Sequence, residues 1–116
     1  MSFESLLHAQ WSDYAEHHRD RVNLMIHIVA VPLFWIGALG AIGDLLFSGV
    51  LYALSGILWM ALALFAQGIG HDREALQPVA QDNAWKLVQA IAAEQFINFP
   101  RFVFSGQWWK NLQAST

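Results

Sequence analysis

Residues 22–43 read VNLMIHIVAVPLFWIGALGAIG, and this run without a formal charge decides the fold of the chain. At about 1.5 Å of rise per residue, a helix of this length measures roughly 33 Å, close to the hydrocarbon thickness of a bilayer. Residues 45–70 form a second uncharged run that is also long enough to span. The pattern predicts two membrane-spanning helices, and the short link between them requires an antiparallel hairpin.

The link between the two runs contains two candidate turns, because glycine beside a small polar residue commonly marks a change of chain direction. Gly43-Asp44 is the first interpretation, and Ser48-Gly49 is the alternative. The choice between them sets where the first helix ends.

The composition favours a membrane protein over a soluble helical bundle. Hydrophobic residues make up 56% of the chain and charged residues 13%, whereas soluble proteins carry about 25% charged residues. At 116 residues the chain is predicted to form a single membrane-embedded helical domain over residues 1–116. A net charge of −3 with six scattered Lys and Arg residues argues against a nucleic-acid partner.

The charges that flank the two runs predict their orientation. Arg19 and Arg21 precede the first run, Arg73 and Lys86 follow the second, and the link carries only Asp44. Because positive residues concentrate on the cytoplasmic side, both ends of the hairpin are expected in the cytoplasm, at a bacterial-type inner membrane.

Further helices are predicted on both sides of the hairpin. Residues 3–17 have the spacing of a helix that lies on the membrane surface. Asn23 is the predicted N-cap of the first span. Asp82 is the predicted N-cap of a third helix over residues 83–99, and Pro100 is expected to kink or break it. The predicted fold class is therefore all-α: an integral membrane helical bundle, built on a two-span hairpin with flanking interfacial helices.

Three histidines are predicted to reach the same end of this hairpin. His18 and His27 lie at the start of the first run, and His71 lies at the end of the second. Nine residues separate His18 from His27, so one continuous helix would place them on opposite faces. They share a site only if the chain breaks between them, and HRDRVN (18–23) is a credible break.

Each of these histidines has a polar residue four positions earlier, namely Tyr14, Asn23 and Gln67. That spacing places the two members of each pair on one helix face. Two interpretations remain open at this point. The histidines form a metal or catalytic site whose rings are oriented by these neighbours, or they are ordinary residues of a membrane interface. With no cysteine in the chain, histidine and oxygen ligands would have to hold any metal.

The order of these residues resembles a known family. Tyr14, His18, Asn23, His27 and Pro32 give Y-x3-H-x4-N-x3-H-x4-P, and QGIGH (67–71) follows. The two blocks resemble the small membrane-protein family that contains the fungal 2-hydroxy-fatty-acid dioxygenase of phytosphingosine breakdown. Members depend on iron(II) and histidines, and they convert a 2-hydroxy fatty acid and O₂ into an acid one carbon shorter.

The resemblance implies a site, a cofactor and partners for this chain. Fe²⁺ is expected on His18, His27 and His71, with His17, Asp72 or Glu74 as a fourth ligand. Tyr14, Asn23 and Gln67 would orient ligands or bind the polar end of the substrate. The implied partners are a fatty-acid substrate, O₂ and the membrane, the hairpin would receive the acyl tail, and a homodimer is open.

Two other functions fit parts of the same sequence. A non-catalytic membrane scaffold or lipid-binding module would explain the apolar runs, with histidines that are merely interfacial. A zinc-dependent membrane hydrolase would fit the ligand types, although the chain has no H-E-x-x-H motif. Zinc, manganese and iron all accept imidazole and carboxylate ligands.

Overall fold

The computed structural model describes residues 2–115, and all the regular secondary structure in that range is helical. Its elements are α1 (Phe3–Ser12), a 3₁₀ turn (Tyr14–His17), α2 (Arg21–Phe47), α3 (Val50–Asp72), α4 (Ala84–Ala93), a π-helical segment (Glu94–Asn98), α5 (Phe99–Phe104) and α6 (Gln107–Ala114). The two longest helices, α2 and α3, are long and apolar enough to cross a membrane. They coincide with the two uncharged runs, and they pack against each other.

The turn between α2 and α3 is the alternative one. Helix α2 continues through Gly43 and Asp44, and the carbonyl of Asp44 accepts hydrogen bonds from Ser48 N–H and Gly49 N–H at 2.8 and 2.6 Å. Gly49 has a φ of +115°, which glycine adopts at little cost because it has no Cβ. The first interpretation, a turn at Gly43-Asp44, is therefore wrong.

Small residues bring α2 and α3 into backbone contact. A Cβ added to Gly37 would lie 2.7 Å from the carbonyl oxygen of Gly56, and one added to Gly56 would lie 2.5 Å from that of Gly37. A Cβ on Gly70 would collide with the side-chain oxygen of Asn23. These close approaches fix the two helices along much of their length, as small residues do in membrane helix pairs.

The predicted chain break is present, but it begins earlier than expected. Helix α1 ends at Ser12, and the 3₁₀ turn replaces the last part of the helix predicted over residues 3–17. Asp20 caps α2, and its side chain accepts a hydrogen bond from Asn23 N–H at 3.0 Å. The N-cap predicted at Asn23 is therefore wrong, because α2 starts at Arg21 and Asn23 already lies in its first turn.

The third predicted helix is longer and less regular than expected. Asn83, rather than Asp82, caps α4 by accepting a hydrogen bond from Lys86 N–H at 2.9 Å. The helical path continues through the π segment into α5, which has Pro100 near its start. Proline lacks an N–H and crowds the carbonyl four residues earlier, so a widened π turn lets the helix accommodate it.

The elements outside α2 and α3 cover one end of this helix pair. Trp35 Nε1 donates to the carbonyl of Gln95 at 2.6 Å, and Trp108 Nε1 donates to that of Leu24 at 3.0 Å. The buried core at this end consists of Tyr14, Leu24, Val31, Phe99, Phe102 and Leu112. At the opposite end, next to the turn, Phe47 is 88% exposed and Leu51 is 80% exposed.

Candidate metal centre

Three histidines and one glutamate converge at the covered end of the helix pair. His18 comes from the break before α2, His27 from the second turn of α2, His71 from the end of α3, and Glu94 from the start of the π segment. Their potential ligand atoms all lie within 4.8 Å of one another. The Nε2 atoms of the three histidines lie 3.6, 3.6 and 3.7 Å from the Glu94 carboxylate oxygens.

The geometry of this cluster fits a divalent metal ion. The nitrogen–oxygen distances exceed the roughly 2.7–3.2 Å of a hydrogen bond. Two ligands that each lie about 2.1 Å from one ion are roughly 3.0–3.4 Å apart, slightly closer than these atoms are. Nε2 of His18 and of His27 is buried without a hydrogen-bond partner among residues 2–115. Such buried nitrogens are costly unless something binds them, and the donor set suits a cation.

Backbone carbonyls orient two of the imidazoles. Nδ1 of His18 lies 2.7 Å from the carbonyl oxygen of Tyr14, and Nδ1 of His27 lies 3.0 Å from that of Asn23. A carbonyl only accepts, so Nδ1 carries the proton and Nε2 presents its lone pair to the cluster. Tyr14 and Asn23 therefore orient the imidazoles of His18 and His27 through main-chain rather than side-chain oxygens.

Aromatic packing holds the rings in place. The imidazoles of His18, His27 and His71 meet edge to face, with centroids 4.7 to 4.9 Å apart. The Tyr14 ring stacks on His18 at 3.9 Å, and Phe99 packs 5.7 Å from His27. The walls of the site are therefore apolar, and its polar atoms point inward.

Burial and the facing side chains shift the pKa values of two members of the cluster. Burial lowers the pKa of His18, and the charge of Glu94 offsets this only in part. Burial alone would raise the pKa of Glu94, but the facing His18, His27 and His71 outweigh it and hold that pKa well below its usual range. A neutral imidazole beside an ionised carboxylate is the state that a metal ion requires of its ligands.

A cavity of about 210 Å³ opens onto the cluster. His18, His71 and Glu94 lie at its inner end, and Tyr14 forms part of its wall. The Tyr14 hydroxyl is buried without a hydrogen-bond partner within the described residues. Burial, followed by the charge of Glu94, raises the pKa of Tyr14 well above 10.0. Tyr14 therefore offers a neutral O–H to a ligand in the cavity.

His17 and Asp72, two of the candidates for a fourth ligand, lie outside the cluster. Nδ1 of His17 is 2.9 Å from the carbonyl oxygen of Leu76, and its Nε2 is 3.4 Å from Asp13. His17 thus ties the 3₁₀ turn to the segment that follows α3. Asp72 is exposed.

Glu74, the third candidate, faces backbone donors instead of the cluster. Its carboxylate accepts hydrogen bonds from Arg19 N–H at 2.8 Å, Asp20 N–H at 3.0 Å and the Asn23 side-chain amide at 2.6 Å. The residue is only 6% exposed. Arg19 and Asp20 directly follow His18, and Asn23 carries the carbonyl that orients His27. Glu74 therefore fixes two of the histidine-bearing segments and lies outside the four-residue cluster.

Gln67 also has a different partner from the predicted one. It forms a reciprocal amide pair with Gln95, with donor–acceptor distances of 3.0 and 2.6 Å. Both side chains are buried. Nδ1 of His71 remains without a hydrogen-bond partner among residues 2–115. Gln67 thus holds the helix that carries Glu94 against α3, and it does not orient His71.

Glu94 is the member of the cluster that the sequence interpretation missed. It interrupts the apolar stretch AIAAEQFI (90–97), and an ionisable residue in such a stretch is often functional. This pattern marks Glu94 as a candidate functional residue, but it does not show which residues Glu94 contacts.

No family model, curated protein or solved structure matches this chain. The family resemblance noted in the sequence therefore remains a prediction. The functional interpretation rests on the geometry of the four-residue cluster and its cavity.

Proposed function

We propose that the chain is an iron(II)-dependent dioxygenase, which shortens 2-hydroxy fatty acids by one carbon at a membrane surface. The observation that carries the proposal is the convergence of His18, His27, His71 and Glu94 within 4.8 Å at one end of two long apolar helices. Histidine and carboxylate ligands with open coordination positions are typical of non-haem iron(II) oxygenases.

The donor set limits how a substrate would bind. Iron(II) in this site would supply the redox chemistry with O₂ that the side chains of the protein lack. If His18, His27, His71 and Glu94 held the ion, its remaining coordination positions would be open to the acid and to O₂.

The residues around the cluster suit the remaining polar atoms of such an acid. The Tyr14 hydroxyl is buried, neutral and unpaired among the described residues, so it can donate a hydrogen bond to the substrate head. In the overall reaction the C1–C2 bond breaks, and one acid and one O₂ give the shorter acid, CO₂ and water.

The arrangement of the helix pair supports a membrane setting for this chemistry. Asn23 lies against Gly70, and Gly37 lies against Gly56, as in an antiparallel hairpin. The large apolar side chains exposed near Gly49 are suited to lipid rather than water. Arginines concentrate at the other end, so that end would face the cytoplasm. The cluster would then lie at the membrane surface, where a fatty acid is available.

Oxygen uptake by the iron-loaded protein tests the proposal. The protein is loaded with iron(II) under nitrogen, its iron content is measured, and 2-hydroxyhexadecanoic acid and O₂ are added. We expect consumption of O₂ in step with formation of pentadecanoic acid, and loss of both in His27→Ala. The exposed His8 gives the matched control, His8→Ala. Full iron loading without O₂ consumption would contradict the dioxygenase and favour a non-catalytic lipid-binding module.

A further inference from the structure

The space around the cluster opens to one side of the molecule. Backbone contact at Gly37 and Gly56 brings α2 and α3 too close for an acyl chain to lie between them. The cavity of about 210 Å³ instead runs from the cluster to the surface between α1 and the segment that follows α3. His17 fixes the width of this opening, because it bonds the carbonyl of Leu76 in that segment at 2.9 Å.

We propose, on the basis of the function proposed above, that this cavity is the binding site for the acyl chain. The exposed Ala9 of α1 and Val79 of the facing segment lie at its mouth, and the buried Leu6 also lines it. The chain therefore leaves the cluster past α1, and the interface between the two long helices has no part in holding it.

The lining defines the class of ligand. His18, His71, Glu94 and Tyr14 lie at the inner end. The rest of the lining consists of Leu6, Ala9, Pro78 and Val79, together with the polar Gln10, Asp13, His17 and Gln81. A pocket with candidate metal ligands at its inner end and apolar side chains along its walls fits an amphiphile whose polar head points inward. The ligand is thus a single-chain acid, bound head first.

The volume of the cavity limits how much of that acid the protein holds. About 210 Å³ corresponds to roughly seven water-sized groups. This is enough for the carboxyl and hydroxyl groups and the first few carbons. The rest of a long chain extends past the mouth into lipid or detergent. The site therefore selects for an unbranched start of the chain more than for its total length.

Photo-crosslinking locates the chain without any need for turnover. The full-length iron-loaded protein is kept under nitrogen in detergent with a 2-hydroxyhexadecanoic acid that carries a diazirine at about its sixth carbon. Peptide mapping then identifies the labelling that an excess of unlabelled acid displaces. We expect it on residues 6–13 and 76–81.

Two alanine-to-phenylalanine variants provide the matched comparison. Ala9→Phe fills the mouth of the cavity, whereas Ala61→Phe adds the same ring to an exposed position on α3. We expect displaceable labelling to fall by roughly tenfold in Ala9→Phe, the equivalent of about two methylenes left unburied. We expect Ala61→Phe to match the wild type, and both variants to keep their iron content.

The outcomes separate this inference from the proposed function. Displaceable labelling on residues 30–63, no displaceable labelling, or equal labelling in Ala9→Phe and wild type would overturn the acyl path. Labelling at the mouth by a protein that consumes no O₂ would uphold the path and overturn the dioxygenase. Oxygen consumption with labelling between α2 and α3 would overturn the path alone.

Discussion

The two ends of the helix pair formed by α2 and α3 are built from the same apolar sequence type but differ in what surrounds them. Near the turn, Phe47, Leu51 and other large apolar side chains are exposed. At the other end, the chain buries polar side chains: His17, His18, Asn23, His27, Gln67, Glu74, Gln95 and Asn98. Burying polar groups is costly unless they are bound. The end that departs from simple apolar packing is therefore the end where function is expected.

Removal of a candidate ligand should have the largest effect, a loss of metal binding at the end that buries the polar side chains. His27→Ala deletes an imidazole that is fully buried in the cluster, and we expect metal affinity to fall by more than about 100-fold. Competition with a coloured chelator measures this affinity, and His8→Ala is the control. Equal affinity in His27→Ala and wild type would show that the ion binds elsewhere.

A substitution at Glu74, which contacts the segments that carry two of the histidines, should lower metal affinity by a smaller factor. Glu74→Gln replaces one carboxylate oxygen, which faces backbone N–H donors, by an NH₂ group. The segments that carry His18 and His27 then lose a shared anchor, so we expect metal affinity to fall by about 10–100-fold. The same chelator competition and the cobalt(II) absorption spectrum provide the measurements.

Two controls for Glu74→Gln distinguish a shift of the histidines from a general loss of folded structure. Glu4→Gln, at an exposed position on α1, should leave the affinity unchanged, and circular dichroism should show the same helicity in both variants. The cobalt(II) bands should shift in Glu74→Gln, because the geometry of the site changes. An unchanged affinity and spectrum would mean that the histidines are held without Glu74.

Substitutions along the helix pair should affect stability more than metal binding. Gly56→Ala places a methyl group against the carbonyl of Gly37 and against Ala41, so we expect a loss of about 1–3 kcal/mol in the free energy of unfolding. Gly40→Ala is the matched control, because nothing among the described residues lies within 4 Å of its added Cβ. It should be neutral or stabilising by up to about 1 kcal/mol. Unfolding in SDS, followed by circular dichroism, distinguishes the two; equal stabilities would contradict the close packing.

The sequence was sufficient to predict those features of the structure that depend on interactions between residues close together in the chain. The two apolar runs predict α2 and α3, because hydrophobicity and helical rise need no knowledge of distant residues. The meeting of His18, His27 and His71 was predictable as well, because a chain break before α2 places all three at one end of the pair.

The sequence was insufficient where the partners are distant or belong to the main chain. Glu94 joins the cluster from a π segment whose position depends on tertiary packing. Glu74 binds backbone N–H groups, which every residue has and which therefore leave no pattern in the sequence. The amide pair of Gln67 and Gln95 likewise joins residues far apart in the chain. Glu74 lies near His71 in the sequence and Glu94 does not. A choice of candidate ligands by sequence proximity therefore selects Glu74 and misses Glu94.

X-ray absorption at the iron edge of protein loaded anaerobically with iron(II) tests the central claim most directly. If His18, His27, His71 and Glu94 hold the ion, the spectrum should show three imidazoles at about 2.1 Å, together with oxygen ligands. His27→Ala should lose one imidazole from this shell or bind no iron. A shell made only of oxygen atoms, or three imidazoles that persist in His27→Ala, would contradict the claim.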